Sequence, residues 1–371
     1  MAQWITRSAA LDRLGIRAQS LYAYVSRGRI AALPDPSDPR RSLYSADDVA
    51  SLAARRGRGR SRSAVASGSI SWGEPVLETA ISTVAHGRLL YRGRDAVEFA
   101  GTAGLEEAAE LLLGARPLSS DAPPGSGLTD AFSHLAVLIP RARPSYGRVE
   151  GSLLGEAVGL VGIMARALGA ASADTVHQGF ARAWDRPAAD DAIRRVLVLM
   201  ADHELNTSTF AARVTASTGA PLPACLMAGL SALTGPLHGA AATAALGFAR
   251  EARIEGAAAL VRRRLAEGRT LPGFGHPLYI GIDPRAAALL DAITLTEELA
   301  ELRSVVVAET GHEPNIDFAT AALVIVRDLP LDAAVRLFAA ARTVGWLAHA
   351  IEQVRSGGLI RPRARYVGPL P

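Results

Sequence analysis

Apolar residues recur every three or four positions through most of the chain beyond its first quarter. The spacing is clear over residues 105–113 and returns over 254–265, where Ile254, Val261 and Leu265 predict one continuous helix. This period is that of an α-helix with one buried face. No segment there alternates apolar and polar residues over the length expected of a core strand. The pattern therefore predicts a mostly α-helical protein.

The first part of the chain has a different pattern. Two helix-forming stretches flank a turn at residues 15–17, and a proline-rich loop at 34–39 precedes a short β-capable segment at 40–44. Ser45 then begins a third helix as its N-cap. This order resembles the MerR-like winged helix-turn-helix over roughly residues 4–56. The resemblance implies a small module, with DNA binding and protein docking as alternative roles.

Charge separates this module from the rest of the chain. All forty basic residues are Arg, and residues 1–63 contain twelve Arg and five Asp, a net charge of +7 where the whole chain has +4. Residues 57–69 are rich in Arg, Gly and Ser and cannot bury enough apolar surface to fold. We therefore expect a module at 1–56, a linker at 57–69 and a larger domain at 70–371, which opens with two short strands at 79–82 and 88–93.

Composition restricts the class of protein. A chain of 371 residues, 49% hydrophobic and 20% charged, can bury one large core and a smaller one. The single Cys225 excludes an internal disulfide framework and any multi-cysteine metal site. No apolar run reaches 18 residues and the N-terminus has no signal pattern, so we expect a cytoplasmic protein.

Three short segments contain residues suited to acid–base chemistry. His238 follows a Gly-Pro break and precedes an alanine-rich helix, whose positive N-terminal potential disfavours a charged imidazole. His276 ends a loop with two glycines, Leu271, Pro272, Gly273, Phe274 and Gly275, which allow close backbone approach to a ligand. Asp317 stands just before an apolar helix, where its simplest role is that of an N-cap.

The order and spacing of these segments resemble the citrate synthases and 2-methylcitrate synthases, from about residue 70 to 371. The matching segments are residues 89–93, 201–209, 235–239, 272–276, 283–285, 315–317, 341–346 and 361–363. The resemblance implies an all-helical dimer with a large domain and a small domain, the latter at roughly 240–335. It also implies condensation of acetyl-CoA with oxaloacetate, with free CoA released.

The resemblance assigns a role to each candidate residue. Asp317 would remove the acyl α-proton, His238 would stabilise the enol and His276 would protonate the oxaloacetate carbonyl. The residues implied for oxaloacetate are His203, Arg285, Arg342 and Arg361, the last reaching into the partner subunit. Residues 271–275 would contact CoA.

The pattern departs from the family in three places, one of which is the absence of the family's His-Pro-Met segment from residues 135–155. Relatives usually continue the His276 segment with Arg-Val-Tyr-Lys, whereas this chain has Pro-Leu-Tyr-Ile at 277–280, and Ala-Thr-Ala at 319–321 replaces the usual Tyr-Ser-Gly. These changes leave propionyl-CoA open as an alternative acyl donor. They also leave open a DNA-binding regulator that senses oxaloacetate or acyl-CoA without turnover.

The remaining histidines are interpreted as surface or packing residues. They are His86, His134, His177, His312 and His349. His238 and His276 lack a third ligand at a spacing suited to zinc, so we expect no metal. We expect no cofactor either, because the CoA ester is a substrate.

Overall fold

The chain divides into two compact units. The computed structural model describes residues 4–16, 18–26, 30–35, 38–50, 52, 77–117, 122–364 and 366–369. One unit contains Met1–Glu78 and Arg363–Pro371, and the other contains Thr79–Pro362. The linker predicted at 57–69 lies outside the described residues.

The described part of the N-terminal unit contains helices and a small antiparallel sheet. Helices α1 (Arg7–Leu14) and α2 (Ala18–Ser26) pack with strands β1 (Trp4–Thr6), β2 (Ala32–Asp35) and β3 (Asp38–Ser45), which lie in the order β1-β3-β2. Residues 46–50 are helical, and the Ser45 hydroxyl accepts the Asp48 amide, as expected of an N-cap. These elements bury a core of their own. Its main side chains are Ala10, Leu14, Leu21, Ile30, Tyr44 and Val49.

The larger unit opens with a second three-stranded antiparallel sheet. Strands β4 (Ser82–Ala85), β5 (Arg88–Tyr91) and β6 (Arg94–Asp95) pair in chain order. Two-residue turns at 86–87 and 92–93, all with positive φ, connect them, which is the geometry that favours a tight hairpin. Strand β4 begins at Ser82, the residue at which the strand predicted over 79–82 was expected to end.

The rest of the larger unit is α-helical, as the apolar period predicted. The α-helices are α3 (Ala96–Ala100), α4 (Leu105–Leu113), α5 (Leu128–Leu138), α6 (Glu150–Ala167), α7 (Val176–Ala183), α8 (Asp190–Leu199), α9 (Thr207–Ser217), α10 (Leu222–Leu233), α11 (Ala240–Glu255), α12 (Ala257–Ala266), α13 (Pro284–Leu290), α14 (Glu297–Thr310), α15 (Ile316–Val326) and α16 (Ala333–Ser356). Short 3-10 turns lie at 139–141 and 187–189. None of the described helices combines the length and apolar character needed to cross a membrane.

Helix α16 lies at the centre of the larger unit. Eighteen of its 24 residues are buried, and it packs against α4, α6, α8, α9, α10, α11 and α15. Trp346 is fully buried, as expected of a core residue. Gly229 of α10 lies against its ring, where a Cβ would come within 2.7 Å of Cδ2. The site described below is built on α16 and on the loops that meet it.

The prediction of one helix over 254–265 is wrong. Helix α11 ends at Glu255 and α12 begins at Ala257, because Gly256 has a φ of +88°, which a right-handed helix cannot contain. Ile254 is consequently 88% exposed rather than on a buried face. The apolar spacing continues across Gly256, and for that reason two separate helices were predicted as one.

Candidate active site

His238 lies in the turn between α10 and α11, one residue before the N-cap Gly239. Its Nε2 is 2.7 Å from the Ser208 hydroxyl, and its ring meets the Phe338 ring edge-on at 5.5 Å between centroids. Burial, with the Arg342 charge adding to it, lowers the pKa of the imidazole to about 4. The expected neutral form is therefore favoured, with burial as its main cause.

His276 has one ring nitrogen engaged by the backbone. The Leu278 amide donates to Nδ1 at 3.1 Å, so the neutral ring carries its proton on Nε2. Burial and the nearby Arg285 charge lower the pKa of His276 to about 4, against the opposing effect of Asp283. A neutral imidazole with its proton on Nε2 is the form that donates a hydrogen bond from that nitrogen.

The loop before His276 is fastened to the start of α15. The Asn315 amide donates to Gly273 O and the Gly275 amide donates to Glu313 O, while the Asn315 side chain donates to Gly275 O. Both glycines have positive φ, and a Cβ on Gly273 would come within 2.9 Å of Phe318 Cβ. Protein packing therefore requires glycine at 273, whatever the loop binds. The same contacts hold the loop that ends at His276 against the segment that leads to Asp317.

Asp317 is not the cap of α15, contrary to the simplest interpretation of the sequence. Asn315 caps the helix, its Oδ1 accepting the amides of Asp317 and Phe318. Among the described residues, no hydrogen bond or ion pair engages the Asp317 carboxylate. Burial raises its pKa to about 6, with Asp283 adding to the rise and Arg285 acting against it. The result is an unengaged carboxylate of enhanced basicity.

Arg285 is buried and paired with Asp283. The Asp283 carboxylate accepts Nε at 3.0 Å, Nη2 at 2.7 Å and the Arg285 amide at 3.0 Å, and it also accepts the Ile316 amide at 3.2 Å. Burial would raise the pKa of Asp283, but the Arg285 charge outweighs this and holds it below its usual value. The guanidinium is fixed by the protein itself, through two of its nitrogens.

Arg342 and His203 are both buried, and the Arg285 charge lowers the pKa of each. Arg342 is 2% exposed, donates Nε to Met200 O at 2.9 Å and has no partner for Nη1 among the described residues. Burial lowers the pKa of Arg342 to about 10. His203 Nε2 is 2.9 Å from the Tyr279 hydroxyl, and burial, with the Arg285 and Arg342 charges, holds its pKa well below the usual value.

The structure thus brings most of the predicted residues together. The Arg342 charge lowers the pKa of His238, and the Arg285 charge lowers the pKa of both His276 and Asp317. Both arginine charges lower the pKa of His203. Arg361 is the exception. It is exposed beyond the end of α16, and within the described part of the chain no hydrogen bond or ion pair joins it to these residues.

Sequence reasoning missed two members of this region. Tyr279 packs on His276 at 4.8 Å between ring centroids and contacts His203 through its hydroxyl. His349, interpreted as a surface or packing residue, is instead fully buried with Nε2 3.0 Å from Asp202 Oδ2. Its seven-residue spacing from Arg342 placed both on one face of a helix, which was the available signal.

His238 and His276 belong to no candidate set of metal ligands among the described residues. Among the residues that the structure describes, no group of three or more His, Cys, Asp or Glu side chains is arranged to hold a metal ion.

Comparison with known proteins decides the family. The family model described as "Citrate synthase, C-terminal domain" matches residues 161–363, more than half of the chain. The chain belongs to the citrate synthase family. The fold agrees, because the crystal structure of citrate synthase from Thermotoga maritima aligns with a TM-score of 0.65 at 26% identity, covering 81% of this chain and 95% of that one.

Curated relatives match over a shorter length. Citrate synthase 2 of Bacillus subtilis is 37% identical over 190 residues, which make up 48% of this chain and 51% of that protein. The citrate/2-methylcitrate synthase of the same species is 35% identical over 187 residues, 47% of this chain and 50% of that protein. The chain spans about half the length of the curated relatives it matches.

The raised pKa of Asp317 predicts a pH-dependent stability. Because the folded protein holds this proton more tightly than the unfolded chain, the wild-type protein should lose stability as pH rises from about 4 to about 6. Asp317→Asn should remove that part of the loss, so that the variant is the more stable protein at pH 7 and the advantage disappears below pH 4. Urea unfolding across this range measures it.

The control is Asp174→Asn, at an exposed position. It should leave the pH profile unchanged. An Asp317→Asn variant that is less stable than the wild type at pH 7 would contradict the raised pKa.

Proposed function

We propose that this protein is an acyltransferase that condenses acetyl-CoA with oxaloacetate, giving citrate and free CoA. The observation that carries the proposal is the Asp317 carboxylate. It is unengaged among the described residues, its pKa is raised to about 6, and it shares the Arg285 charge with His276, an imidazole that burial keeps neutral. A carboxylate of this basicity is still largely ionised at pH 7 and is a better proton acceptor than an ordinary one.

In the first step Asp317 takes a proton from the methyl group of acetyl-CoA. The C–H bond breaks, and its electron pair moves toward the thioester oxygen to give an enolate. His238 donates a hydrogen bond to that oxygen, an electrostatic stabilisation of developing negative charge.

In the second step the enolate carbon attacks the carbonyl carbon of oxaloacetate. A C–C bond forms, and His276 gives its Nε2 proton to the carbonyl oxygen, consistent with the Leu278 amide engaging Nδ1. Water then cleaves the remaining thioester. The C–S bond breaks, the acyl carbon becomes a carboxylate and CoA leaves as the thiol.

Oxaloacetate is a dianion and needs cationic partners. We propose His203, Arg285 and Arg342 of one subunit and Arg361 of its partner in a homodimer. The buried, unpartnered Nη1 of Arg342 supports this assignment, because a buried donor without a partner is costly. Exposure of Arg361 agrees with a role outside its own subunit.

We propose that residues 271–275 contact CoA, within a small subdomain at about 240–335 of the larger domain 70–371. The acyl group is the open choice. Acetyl-CoA is favoured over propionyl-CoA only modestly, since one methylene in an apolar pocket is worth about 1–3 kcal/mol. Comparison of kcat/KM for the two esters decides between citrate and 2-methylcitrate synthesis. A sensor without turnover would need no base at Asp317, and it would release no thiol from either ester.

Conservative substitutions test the catalytic roles. Asp317→Asn, His238→Gln and His276→Gln should each lower kcat by about 10²–10⁴-fold, because each removes a proton transfer or a hydrogen bond used in the transition state. Oxaloacetate affinity should change far less. Release of free thiol from acetyl-CoA and oxaloacetate gives kcat, and calorimetry gives the affinity.

His134→Gln is the matched control, since the hydrogen bond that His134 makes among the described residues is to the Asp130 carbonyl on its own helix. It should keep the wild-type rate. Turnover by Asp317→Asn close to that of the wild type would sink the assignment of the base.

The N-terminal unit motivates a second proposal, that residues 1–56 form a MerR-like module that binds DNA. Gln19, Ser20 and Tyr22 of α2, the side chains proposed to meet base edges, are all exposed, and the Arg7 guanidinium lies 5.3 Å from the centroid of the Tyr22 ring. The side chains of Arg27, Arg29, Arg40 and Arg41, proposed to contact phosphates, lie outside the described residues, as does the linker at 58–62.

Salt dependence tests this proposal in the full-length protein. If the arginines neutralise phosphates, affinity for random duplex DNA should fall steeply with salt, with a log–log slope of about −0.9 for each phosphate neutralised. Fluorescence anisotropy at several salt concentrations measures the slope. Absence of duplex binding even at low ionic strength would show that the unit serves docking instead.

A further inference from the structure

One face of α16 is clamped onto the chain segment that carries His203. Three residues on that face, spaced as successive turns of a helix, engage three consecutive residues of the segment. The pairs are Arg342 Nε with Met200 O at 2.9 Å, Gly345 N with Ala201 O at 3.2 Å, and His349 Nε2 with Asp202 Oδ2 at 3.0 Å. The middle contact requires glycine, because a Cβ there would lie 2.5 Å from Ala201 O.

The same segment is held from its other side by the small sheet. The Ser82 hydroxyl of β4 donates to Asp202 Oδ2, and the Tyr91 hydroxyl of β5 donates to Asp202 O and accepts the Asp202 amide. Asp202 and His349 are both fully buried. Asp202 is thus the point at which the sheet, the His203 segment and α16 meet.

Asp202 also supplies negative charge to a buried cation. Arg342 is 2% exposed, and while burial lowers its pKa, the Asp202 charge acts against that fall. Burial would raise the pKa of Asp202, yet His349 and Arg342 together hold it below the usual value. A buried charge is tolerated only where opposite charge or hydrogen bonds compensate it.

We infer that Asp202 and His349 are positioning residues that set His203 and Arg342 at the spacing needed to bind a dicarboxylate. The inference rests on the proposed function, since it assumes that both residues contact oxaloacetate. Neither Asp202 nor His349 touches the reacting atoms. Their contribution is to the binding of the dianion, so loss of the His349–Asp202 contact should weaken oxaloacetate binding while the proton transfers at saturation stay nearly intact.

Three variants test this inference. His349→Leu keeps the side-chain bulk but removes the hydrogen bond to Asp202, and His349→Gln restores a donor at similar reach. His177→Leu is the matched control, because His177 is also buried beside a carboxylate. Its Nε2 is 3.8 Å from Asp190, which begins α8 at the end of that helix away from Met200. The readouts are the oxaloacetate Kd from calorimetry, KM and kcat from thiol release, and Tm.

His349→Leu should raise the Kd and KM of oxaloacetate about tenfold, as expected for loss of one hydrogen bond to a charged group, and change kcat less than about threefold. His349→Gln should recover most of the affinity. His177→Leu should leave both constants within about twofold of the wild type.

An unchanged Kd in a folded His349→Leu would overturn the inference, as would an equal loss in His177→Leu, which would indicate general loosening. If His349→Leu does not fold, Ser82→Ala, which removes the Ser82 hydroxyl donor to the same Asp202 carboxylate oxygen, carries the same expectations. If the wild-type protein binds oxaloacetate without turnover, the proposed function is wrong. The oxaloacetate Kd of the His349 variants then still decides whether Asp202 and His349 position the binding residues. A wild-type protein that binds no oxaloacetate would overturn both the proposed function and the inference.

Discussion

The buried pair of Asp283 and Arg285 is the interaction on which the geometry of the site depends. One carboxylate caps α13, holds the guanidinium through two nitrogens and accepts the Ile316 amide at the start of α15. It therefore connects the loop after His276 to the helix that presents Asp317. The Arg285 charge also reaches His203, His276 and Asp317. A single ion pair thus contributes to both the shape and the electrostatics of the site.

Burial and fixed positive charge have different consequences for the acids and bases nearby. Burial disfavours every charged form, so it lowers the pKa of the histidines and raises that of Asp317. The arginines then reinforce the neutral state of His238 and His276 but oppose the rise at Asp317. The two histidines are consequently held as hydrogen-bond donors, while Asp317 keeps a pKa low enough to ionise near neutral pH. This division suits a reaction in which one group accepts a proton and two donate hydrogen bonds.

Local patterns predicted the helical nature of the larger unit and the segments that form the site, because period and loop composition are properties of neighbouring residues. Features that depend on distant residues were not accessible in this way. The contact of His349 with Asp202 joins positions 147 residues apart in the chain, and the capping role of Asn315, which releases Asp317, depends on which side chain reaches the first free amides. Gly256 is a different case, because the apolar spacing continues across it although its positive φ ends one helix and separates it from the next. Arg361 is exposed, and its proposed place in the site of a partner subunit rests on the family resemblance alone.

His238 and His276 should both be neutral at physiological pH, as the proposed mechanism requires, and NMR of protein with ¹³C-labelled histidine measures this directly. Spectra of His238→Gln and His276→Gln assign the two Cε1 resonances. Both should titrate with midpoints of about 4 in the wild-type protein. A midpoint near the ordinary value of about 6.5 for either residue would contradict the claim.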